Sequence, residues 1–421
     1  MYKEQFKCIA FAACLTLTGV MVSCADVESD GIYYNITSST DLEVEVTYKD
    51  TSYNSYSGDI EIPSIVKYNN KIYTVTSIGD SAFRGCKSLT SIVIPDGVTS
   101  IGEEAFEYCE SLTSIDLPEG LTSIGNSAFL GCESLTSIDL PEGLTSIGDA
   151  AFLGCEGPTS IDLPEGLTSI GSFSFSNCTS QTSIDLPDGL TNIGNGAFYF
   201  FTSLTSIDVN ENNTYYSSSD GVLYNKDKTI LICYPCRKTN STFSIPESVT
   251  EIGSYAFHDC RSLVSIDLPD GLTSIGSFSF SNCTSLTSID LPDGLTSIGG
   301  CAFSACTSLT SIDLPDGMTS IGNFAFDNCT SLTSIDLPDG LTSIGNHAFE
   351  SCESLKDVYS RNVTPPTCAG SDVFDDTTYE NATLHVPSKV LTRYQTTSQW
   401  SKFNNIVGDA TNNGNSRRVH K

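Results

Sequence analysis

Three sets of residues in the sequence are of types that could do chemistry: a Cys-x-x-Cys pair, a recurring cysteine and a recurring aspartate. The pair, Cys233-Tyr-Pro-Cys236, has the spacing of a redox dithiol. Redox dithiols work at the N-terminus of a helix, whereas this pair ends a strand-like run that begins at Thr229. The pattern therefore favours a local disulfide over a catalytic dithiol. Zinc needs four ligands and the histidines are unclustered, so we expect no metal and no other cofactor.

The recurring cysteine occupies one position of ten similar units, and we call this set the cysteine column: Cys86, Cys109, Cys132, Cys155, Cys178, Cys260, Cys283, Cys306, Cys329 and Cys352. Stacked strands lie about 4.8 Å apart, which exceeds the Cβ separation of roughly 3.8 Å that a disulfide prefers. Phe201 fills the same position in an eleventh unit, so the position is apolar. We predict buried free thiols here, not disulfides or metal ligands.

The recurring aspartate gives a second set, the aspartate column: Asp116, Asp139, Asp162, Asp185, Asp208, Asp267, Asp290, Asp313 and Asp336. One interpretation is a solvated face that keeps the protein soluble. The other is a binding face that recruits a basic protein patch or divalent cations. Every recurrent residue lies in equivalent surroundings, which provide no unique site with a perturbed pKa. The sequence therefore does not predict an enzyme.

These columns arise because a 23-residue unit repeats from Leu89 to Cys352, and eleven copies of Ile-Gly-x-x-(Ala/Ser)-Phe mark it. A period in the twenties is typical of a solenoid, in which each unit buries its apolar face against its neighbours. Within one unit we predict a short strand, a second inward step after a Pro-Glu-Gly turn, and one helical turn. The predicted inward positions are Leu112, Ile115, Leu117, Leu121, Ile124, Ala128, Phe129 and Cys132.

One unit is longer than the others, with 36 residues in place of 23, and Asn210 stands where the turn proline is expected. The hairpin insertion that we assign to this unit, residues 211–236, is rich in tyrosine, which suits contacts with proteins and glycans. We predict an exposed hairpin that projects from the array and takes part in recognition. Its tyrosines are Tyr215, Tyr216, Tyr224 and Tyr234.

The unit S-L-T-S-I-x-L-P-x-G-(L/V)-T-S-I-G-x-x-A-F-x-x-C resembles the BspA-like leucine-rich repeats of surface proteins from Bacteroidetes and some parasitic protists. The resemblance covers about Tyr73 to Ser354, and the longer unit resembles an extended variant with a hairpin. It implies a leucine-rich-repeat right-handed coil whose short parallel strands form one continuous sheet. It also implies adhesion or interaction between host and microbe, and it transfers no catalytic residue.

The ends of the chain differ from the array. Residues 1–24 are predicted to be a signal peptide. Met21-Val-Ser-Cys24 resembles a lipobox, which would be acylated at Cys24. Alternatively, Ser23-Cys24-Ala25 fits a cleavage site that would release the protein without an anchor. We expect a β-rich N-terminal cap over 25–76, the array over 77–355, an α/β C-terminal cap over 356–408 with a helix from Ser388 to Phe403, and a disordered tail over 409–421.

The net charge of −31 argues against nucleic acid and against an anionic membrane face, because both attract clustered Lys and Arg. Together with the signal peptide, this charge predicts an extracellular protein, an outer-membrane lipoprotein that contacts the membrane only through its lipid anchor. We expect it to be a monomer and to bind a protein ligand. The alternative is a glycan-binding surface lipoprotein of a carbohydrate-uptake system, and a hydrolase is a weaker third.

Overall fold

The computed structural model describes residues 25–49, 54–157, 161–178, 181–201, 203–370 and 372–409. They belong to two compact units, one comprising Met1–Ser203 with Val209–Tyr215, the other Leu204–Asp208 with Tyr216–Lys421. Within each unit the 23-residue repeat forms successive coils of a parallel-strand solenoid, as predicted. Cys24, with the rest of the predicted signal peptide, and residues 410–421 of the predicted tail lie outside the described residues.

The first unit is built on a ladder of Ser-Ile or Asn-Ile dipeptides that pair in parallel at intervals of 23 residues, such as Ser123 with Ser146. Antiparallel strands precede the ladder and form the β-rich N-terminal cap. The ten-stranded sheet contains Val27–Ser29, Ile32–Ser38, Glu43–Thr47, Lys71–Ile78 with Ile65–Tyr68 beside it, Ser100–Ile101, Ser123–Ile124, Ser146–Ile147, Ser169–Ile170 and Asn192–Ile193. A three-stranded sheet contains Gly58–Glu61, Leu89–Val93 and Ser114–Asp116.

The second unit repeats this plan, and here a hairpin begins the ladder. Its nine-stranded sheet contains Tyr216–Ser219, Val222–Asn225, Ile230–Cys233, Glu251–Ile252, Ser274–Ile275, Ser297–Ile298, Ser320–Ile321, Ser343–Ile344 and Thr367–Cys368. A two-stranded sheet contains Thr242–Ser244 and Ser265–Asp267, and a four-stranded sheet contains, in spatial order, Ser334–Leu337, Asp357–Ser360, Thr383–His385 and Asn405–Val407. The first unit also contains the strand Ser183–Leu186, and Ser206–Val209 is a further strand.

The strands thus form several sheets, which differs from the single continuous sheet expected from the sequence. The regular ladder runs along the second inward step, at Ser123–Ile124 and its equivalents, while the first step, at Leu112–Leu117, is a strand only at Ser114–Asp116. Pro118 follows this first step directly, and proline has no N–H to donate to a ladder. Proline thus ends the first-step strand, and pairing at this step is interrupted along the array, since residues 137–139 form no strand.

The segment that carries Ala128 and Phe129 is not the helical turn that the sequence suggested. Ser127 and Gly131 have positive φ angles of 54° and 71°, which bring the backbone out of the helical region. The N–H groups of Ser127, Phe129 and Gly131 donate to carbonyl oxygens of the next coil at 2.7 to 2.9 Å. Each coil is therefore tied to its neighbours through this turn as well as through the ladder.

The core consists of the predicted inward positions, of which Leu117 alone in its coil stays half-buried. The phenylalanines form a column of stacked rings, with centroids 5.1 Å apart between Phe106 and Phe129. Gly125 permits the close stacking, because a Cβ there would lie 2.6 Å from the carbonyl carbon of Gly102. Burial of each such Leu, Ile or Phe contributes about 1.5 to 3 kcal/mol, and the repeat multiplies that gain.

The C-terminal cap combines short helices with the four-stranded sheet. The predicted helix from Ser388 to Phe403 is wrong in extent, because its α-helical part is Leu391–Thr396 and the next residue, Thr397, is extended with a ψ of 127°. Trp400 is buried, and its Nε1 donates to the carbonyl oxygen of Pro366 at 2.9 Å. The helical elements are Asp376–Asn381, Leu391–Thr396 and the 3-10 turns Ser388–Val390 and Trp400–Lys402.

Candidate interaction face

The aspartate column lies on the surface of both units, as predicted. Eight of its nine side chains are exposed, and Asp336 is half-buried beside Arg361, with which it forms an ion pair. Isolated parallel bridges join Asp290 to Asp313 and Asp313 to Asp336. Equivalent carboxylates of the second unit therefore lie in register on adjacent coils.

The column is electrostatically unfavourable by itself. Two carboxylates about 5 Å apart in water repel by roughly 0.8 kcal/mol before salt screening, which is less than the gain from one buried leucine. Neighbouring hydroxyls relieve part of the charge: Ser244 Oγ donates to Asp267 at 2.7 Å. At the start of the first unit, hydrogen bonds from Ser91 and Thr90 lower the pKa of Asp59. The burial of the core therefore outweighs the repulsion between the carboxylates, which stay accessible to a cation.

The cysteine column is buried, which agrees with the prediction for its ten members, and no disulfide forms within it. Eight of the ten thiols donate to the phenylalanine carbonyl oxygen of the preceding coil, as Cys132 does to Phe106 at 3.2 Å. Burial raises the pKa of Cys178 to about 12 and raises that of Cys306 well above its ordinary value. A thiol with a raised pKa is a poor nucleophile at neutral pH. These cysteines therefore serve packing.

The Cys233 and Cys236 pair is not a disulfide in the structure, which departs from the local disulfide that the sequence favoured. Cys233 ends the strand Ile230–Cys233, and Cys236 follows the buried Tyr234 and Pro235. Burial raises the pKa of Cys233 to about 12 and that of Cys236 to about 11. The spacing therefore reflects a strand followed by a turn, without the helix N-terminus that would activate a dithiol.

The hairpin is present, but it does not project as predicted. Tyr216–Ser219 pairs with Val222–Asn225, which pairs with Ile230–Cys233, and that strand continues in parallel into Glu251–Ile252. Tyr224 and Tyr234 are buried in the core of the second unit, where the ring of Tyr234 stacks at 5.1 Å on Phe257. The expected exposure of these two tyrosines is therefore wrong.

The two remaining tyrosines of the hairpin segment are more accessible. Tyr215 is 53% exposed and Tyr216 is half-buried. A strand at the edge of a sheet leaves backbone N–H and C=O groups unpaired and exposed to other chains. Here the inserted strands pair with the ladder of the second unit, so they extend both the ladder and the core beneath it. The insertion thus supplies the N-terminal strands of the second unit. This explains why the apolar side chains of the insertion point inward.

Sequence reasoning missed one feature, a polar cleft in the first unit at Gln181. Gln181 stands where most coils have a leucine, as at Leu135, yet it is only 4% exposed. The cleft has a volume of about 430 Å³, and its lining includes Asp162 and Asp185. The signal was present in the sequence, because Ser-Gln-Thr-Ser replaces the usual Ser-Leu-Thr-Ser.

Two further observations concern the described residues as a whole. They contain no group of three or more His, Cys, Asp or Glu side chains placed to hold a metal ion. They also contain no helix of sufficient length and hydropathy to cross a bilayer.

Comparison with known proteins agrees with the repeat geometry. The sequence profile described as "BspA type Leucine rich repeat region" matches residues 51–157, 127–227, 232–356 and 279–395. No curated protein matches the chain.

Solved structures are similar to this chain over most of its length. A leucine-rich cell surface protein from Faecalibacterium prausnitzii is 31% identical, with a TM-score of 0.65 over 82% of this chain and 95% of the other. A leucine-rich-repeat protein from Bacteroides ovatus is 30% identical, with a TM-score of 0.50 over 88% and 96%. The pneumococcal vaccine antigen PcpA, 23% identical with a TM-score of 0.64 over 93% and 100%, shares the fold.

Proposed function

Because the chain belongs to the BspA-type leucine-rich-repeat family, we propose that it is a cell-surface interaction module that binds a protein ligand through its repeat face. The ligand is a host matrix protein or a protein on another cell. The exposed aspartate column carries this proposal. A regular acidic face attracts a partner with a basic patch and orients it before contact.

A protein ligand is favoured over a glycan by the hairpin tyrosines. Glycan recognition would use exposed aromatic rings, whereas Tyr224 and Tyr234 are committed to the core. Tyr215 alone among the four tyrosines predicted to bind is well exposed. The acidic face, by contrast, extends over many coils and offers the large area that protein partners need.

Anchoring belongs to the same proposal. Acylation of Cys24 would hold the array at the outer surface of the cell, because the acyl chains insert into the membrane after the signal peptide has been removed. Mass spectrometry of the mature N-terminus tests this: a diacylglycerol-modified Cys24 is expected. An unmodified N-terminus that begins at Asp26 or later would show that the protein is released.

The function is tested by binding of the purified mature chain to a panel of immobilised extracellular-matrix proteins, with a glycan panel in parallel. The test variant combines Asp139→Lys with Asp313→Lys, one change in each unit. The matched control combines Glu133→Lys with Glu353→Lys, which changes the charge equally at exposed positions outside the column.

We expect binding to at least one matrix protein, weakened about tenfold by the test variant and less than twofold by the control. Binding should also weaken as salt rises, since the attraction acts between exposed charges. Equal binding by the parent and both variants would show that the column serves solubility only. Binding to glycans alone would replace the protein-ligand proposal with the glycan-binding one.

A further inference from the structure

A second column of aromatic rings lies on the surface of the second unit, in the turn that follows each Ile-Gly dipeptide. The residue two positions after the glycine is half-buried in five consecutive coils, and we call this set the turn column: Tyr255, Phe278, Cys301, Phe324 and His347. The ring of Tyr255 stacks on Phe278 at 5.0 Å. The ring of Phe324 stacks on His347 at 4.8 Å. The turn column thus consists of two stacked pairs with Cys301 between them.

The interruption at Cys301 leaves a gap in the turn column. Within the described residues, Phe278 and Phe324 each pack on one ring only, on the side away from Cys301. The two phenylalanines lie two coils apart, which is about 10 Å at the spacing of strands in a sheet. The complete inner column shows what fits this distance, because there the ring of Phe303 lies 5.2 and 5.4 Å from its two neighbours. The gap over Cys301 therefore has the thickness of one planar group.

The fold does not require this gap. The φ angle of Cys301 is 54°, close to the 57° of Phe278 and the 56° of Phe324, so the backbone would accept a ring at this position as well. Beside it, a Cβ at Gly300 would meet no atom closer than 3.4 Å, whereas a Cβ at Gly299 would lie 2.6 Å from the backbone of the preceding coil. Close stacking of the coils therefore explains the glycine at 299, but not the small residues at 300 and 301.

A carboxylate lies beside the gap. Asp327 is half-buried, accepts a hydrogen bond from Ser304 Oγ at 3.4 Å and forms no ion pair with the described residues. Burial, and after it the charge of Asp327, raises the pKa of Cys301, which places the carboxylate near the thiol. Burial and the charge of Glu350 raise the pKa of Asp327 itself. A cation next to Asp327 would therefore stabilise its charged form.

The coils around the gap supply no permanent cation for this carboxylate. The sequence has no Lys or Arg between Arg261 and Lys356. His347 pairs with Glu350 at 2.9 Å, and its charge offsets the raised pKa of Asp327 only in part. The gap and the carboxylate together have the thickness and the charge that suit a planar cation from another molecule.

We propose that the gap binds the guanidinium group of an arginine on a partner protein, at a site outside the aspartate column. A guanidinium is planar and permanently charged, and it stacks favourably on aromatic rings. In the gap its two faces pack on Phe278 and Phe324, and its N–H groups donate to the carboxylate of Asp327. A neutral ring leaves Asp327 without a cation, and a lysine ammonium has no flat face to fill the gap.

The probe is the tripeptide amide Ac-Gly-Arg-Gly-NH2, titrated into the purified mature chain while the backbone amide NMR signals of Phe278, Cys301 and Phe324 are followed. The same peptide with citrulline or lysine in place of arginine is the ligand control. Cys301→Phe supplies the missing ring and closes the gap. Its matched control is Cys301→Ser, which removes the thiol and keeps the gap open. Asp327→Asn removes the charge alone.

We expect saturable shifts centred on these three signals, with affinity at least tenfold weaker in Cys301→Phe and about fivefold weaker in Asp327→Asn. Cys301→Ser should bind within about twofold of the parent. The lysine peptide should bind about fivefold and the citrulline peptide about tenfold more weakly than the arginine peptide.

Equal affinity of the parent and Cys301→Phe, equal affinity of the arginine and citrulline peptides, or an absence of saturable shifts would overturn the proposal. If Cys301→Phe does not fold, Asp327→Asn and the citrulline peptide decide the question without it.

This inference goes beyond the proposed function, because the site lies outside the aspartate column and the titration uses no natural ligand. The variant that combines Asp139→Lys with Asp313→Lys should bind the tripeptide within about twofold of the parent, since salt screens exposed charges at a distance. A loss in that variant as large as in Asp327→Asn would show that the column, and not the gap, attracts the cation. Failure of the matrix panel would leave the titration unaffected.

Discussion

The coil that carries Leu309 in the second unit and the coil that carries Gln181 in the first occupy equivalent positions in the repeat but differ in how they are held. Leu309 is fully buried, and the next residue, Thr310, donates its N–H to Thr287 at 3.2 Å. Gln181 is almost as buried, but its side chain is polar: Nε2 donates to the carbonyl oxygens of Ile161 and Ser183, and Oε1 accepts no hydrogen bond from the described residues.

The difference shows how a repetitive array tolerates a local departure from its repeat. Stability in a solenoid is approximately the sum of contributions from each coil and its neighbours, so one unfavourable coil is tolerated by those beside it. An unsatisfied buried acceptor costs about 1 to 3 kcal/mol, which the stacked phenylalanines of adjacent coils offset. Regular coils therefore supply stability, and the irregular coil supplies chemical asymmetry.

The largest effect expected is the loss of a ring from the regular region. Phe303 is fully buried, and its ring stacks between Phe280 at 5.2 Å and Phe326 at 5.4 Å. Phe303→Ala should lower the free energy of unfolding by about 3 to 5 kcal/mol, because the cavity adds to the lost transfer energy. Urea unfolding followed by circular dichroism measures this.

The matched control is Phe324→Ala, whose ring is half-buried on the turn and stacks on one side against His347 at 4.8 Å. Its cost should be below about 2 kcal/mol, because less apolar area is returned to water. An equal cost for the two variants would show that the phenylalanine column does not dominate the stability of the regular coils.

A smaller effect follows from exchanging the two residues that define the comparison. Gln181→Leu should raise the stability of its coil by about 1 to 3 kcal/mol, since it removes the unsatisfied acceptor. Leu309→Gln should lower the stability of its coil by at least as much, because no cleft is available to the amide there. Native-state hydrogen exchange of amides in the affected coil measures each change locally. A neutral Leu309→Gln would remove the physical distinction between the two regions.

The sequence predicted the regular coils well because identical apolar residues repeat at fixed spacing and their burial needs no long-range information. Leu121, Ile124 and Phe129 are buried as predicted. The conformation of the turn was not predicted, because the spacing of apolar residues within one coil resembles that of a helical turn. In the structure, two residues of each coil have positive φ angles, which are stabilised by hydrogen bonds to the next coil. The inter-coil partners decide that conformation.

The irregular regions were harder to predict for the opposite reason. Tyr224 and Tyr234 lie in a unique insertion, and their burial depends on a sheet that the insertion itself extends. Gln181 could have been found as a single departure from the repeat, but its unsatisfied oxygen and the cleft beside it depend on the backbone of the neighbouring coil. The function of Cys24 and of the aspartate column stays a prediction.

The smallest effect concerns the thiols three residues before Gln181 and Leu309, which should not distinguish the two coils. Cys178 and Cys306 donate to the carbonyl oxygens of the preceding coil at 3.5 and 3.2 Å. Burial raises the pKa of Cys178 from 9.0 to about 12, and that of Cys306 well above 9.0. The folded state thus keeps a proton that the unfolded chain loses above pH 9, so the stability from each thiol is present below pH 9 and declines as pH rises toward the folded pKa.

Between pH 9 and pH 10 the unfolded thiol goes from half to mostly ionised, which corresponds to about 1 kcal/mol of lost stability per thiol. Cys178→Ala and Cys306→Ala should each therefore lose about 1 kcal/mol less than the parent over this interval, whatever their cost at neutral pH. Urea midpoints measured at pH 8, 9 and 10 test this. A clearly smaller difference for Cys178→Ala would mean that the polar cleft reaches the cysteine column, because water near Cys178 would let the folded thiol ionise. Equal differences would confine the influence of Gln181 to the first inward step of its coil.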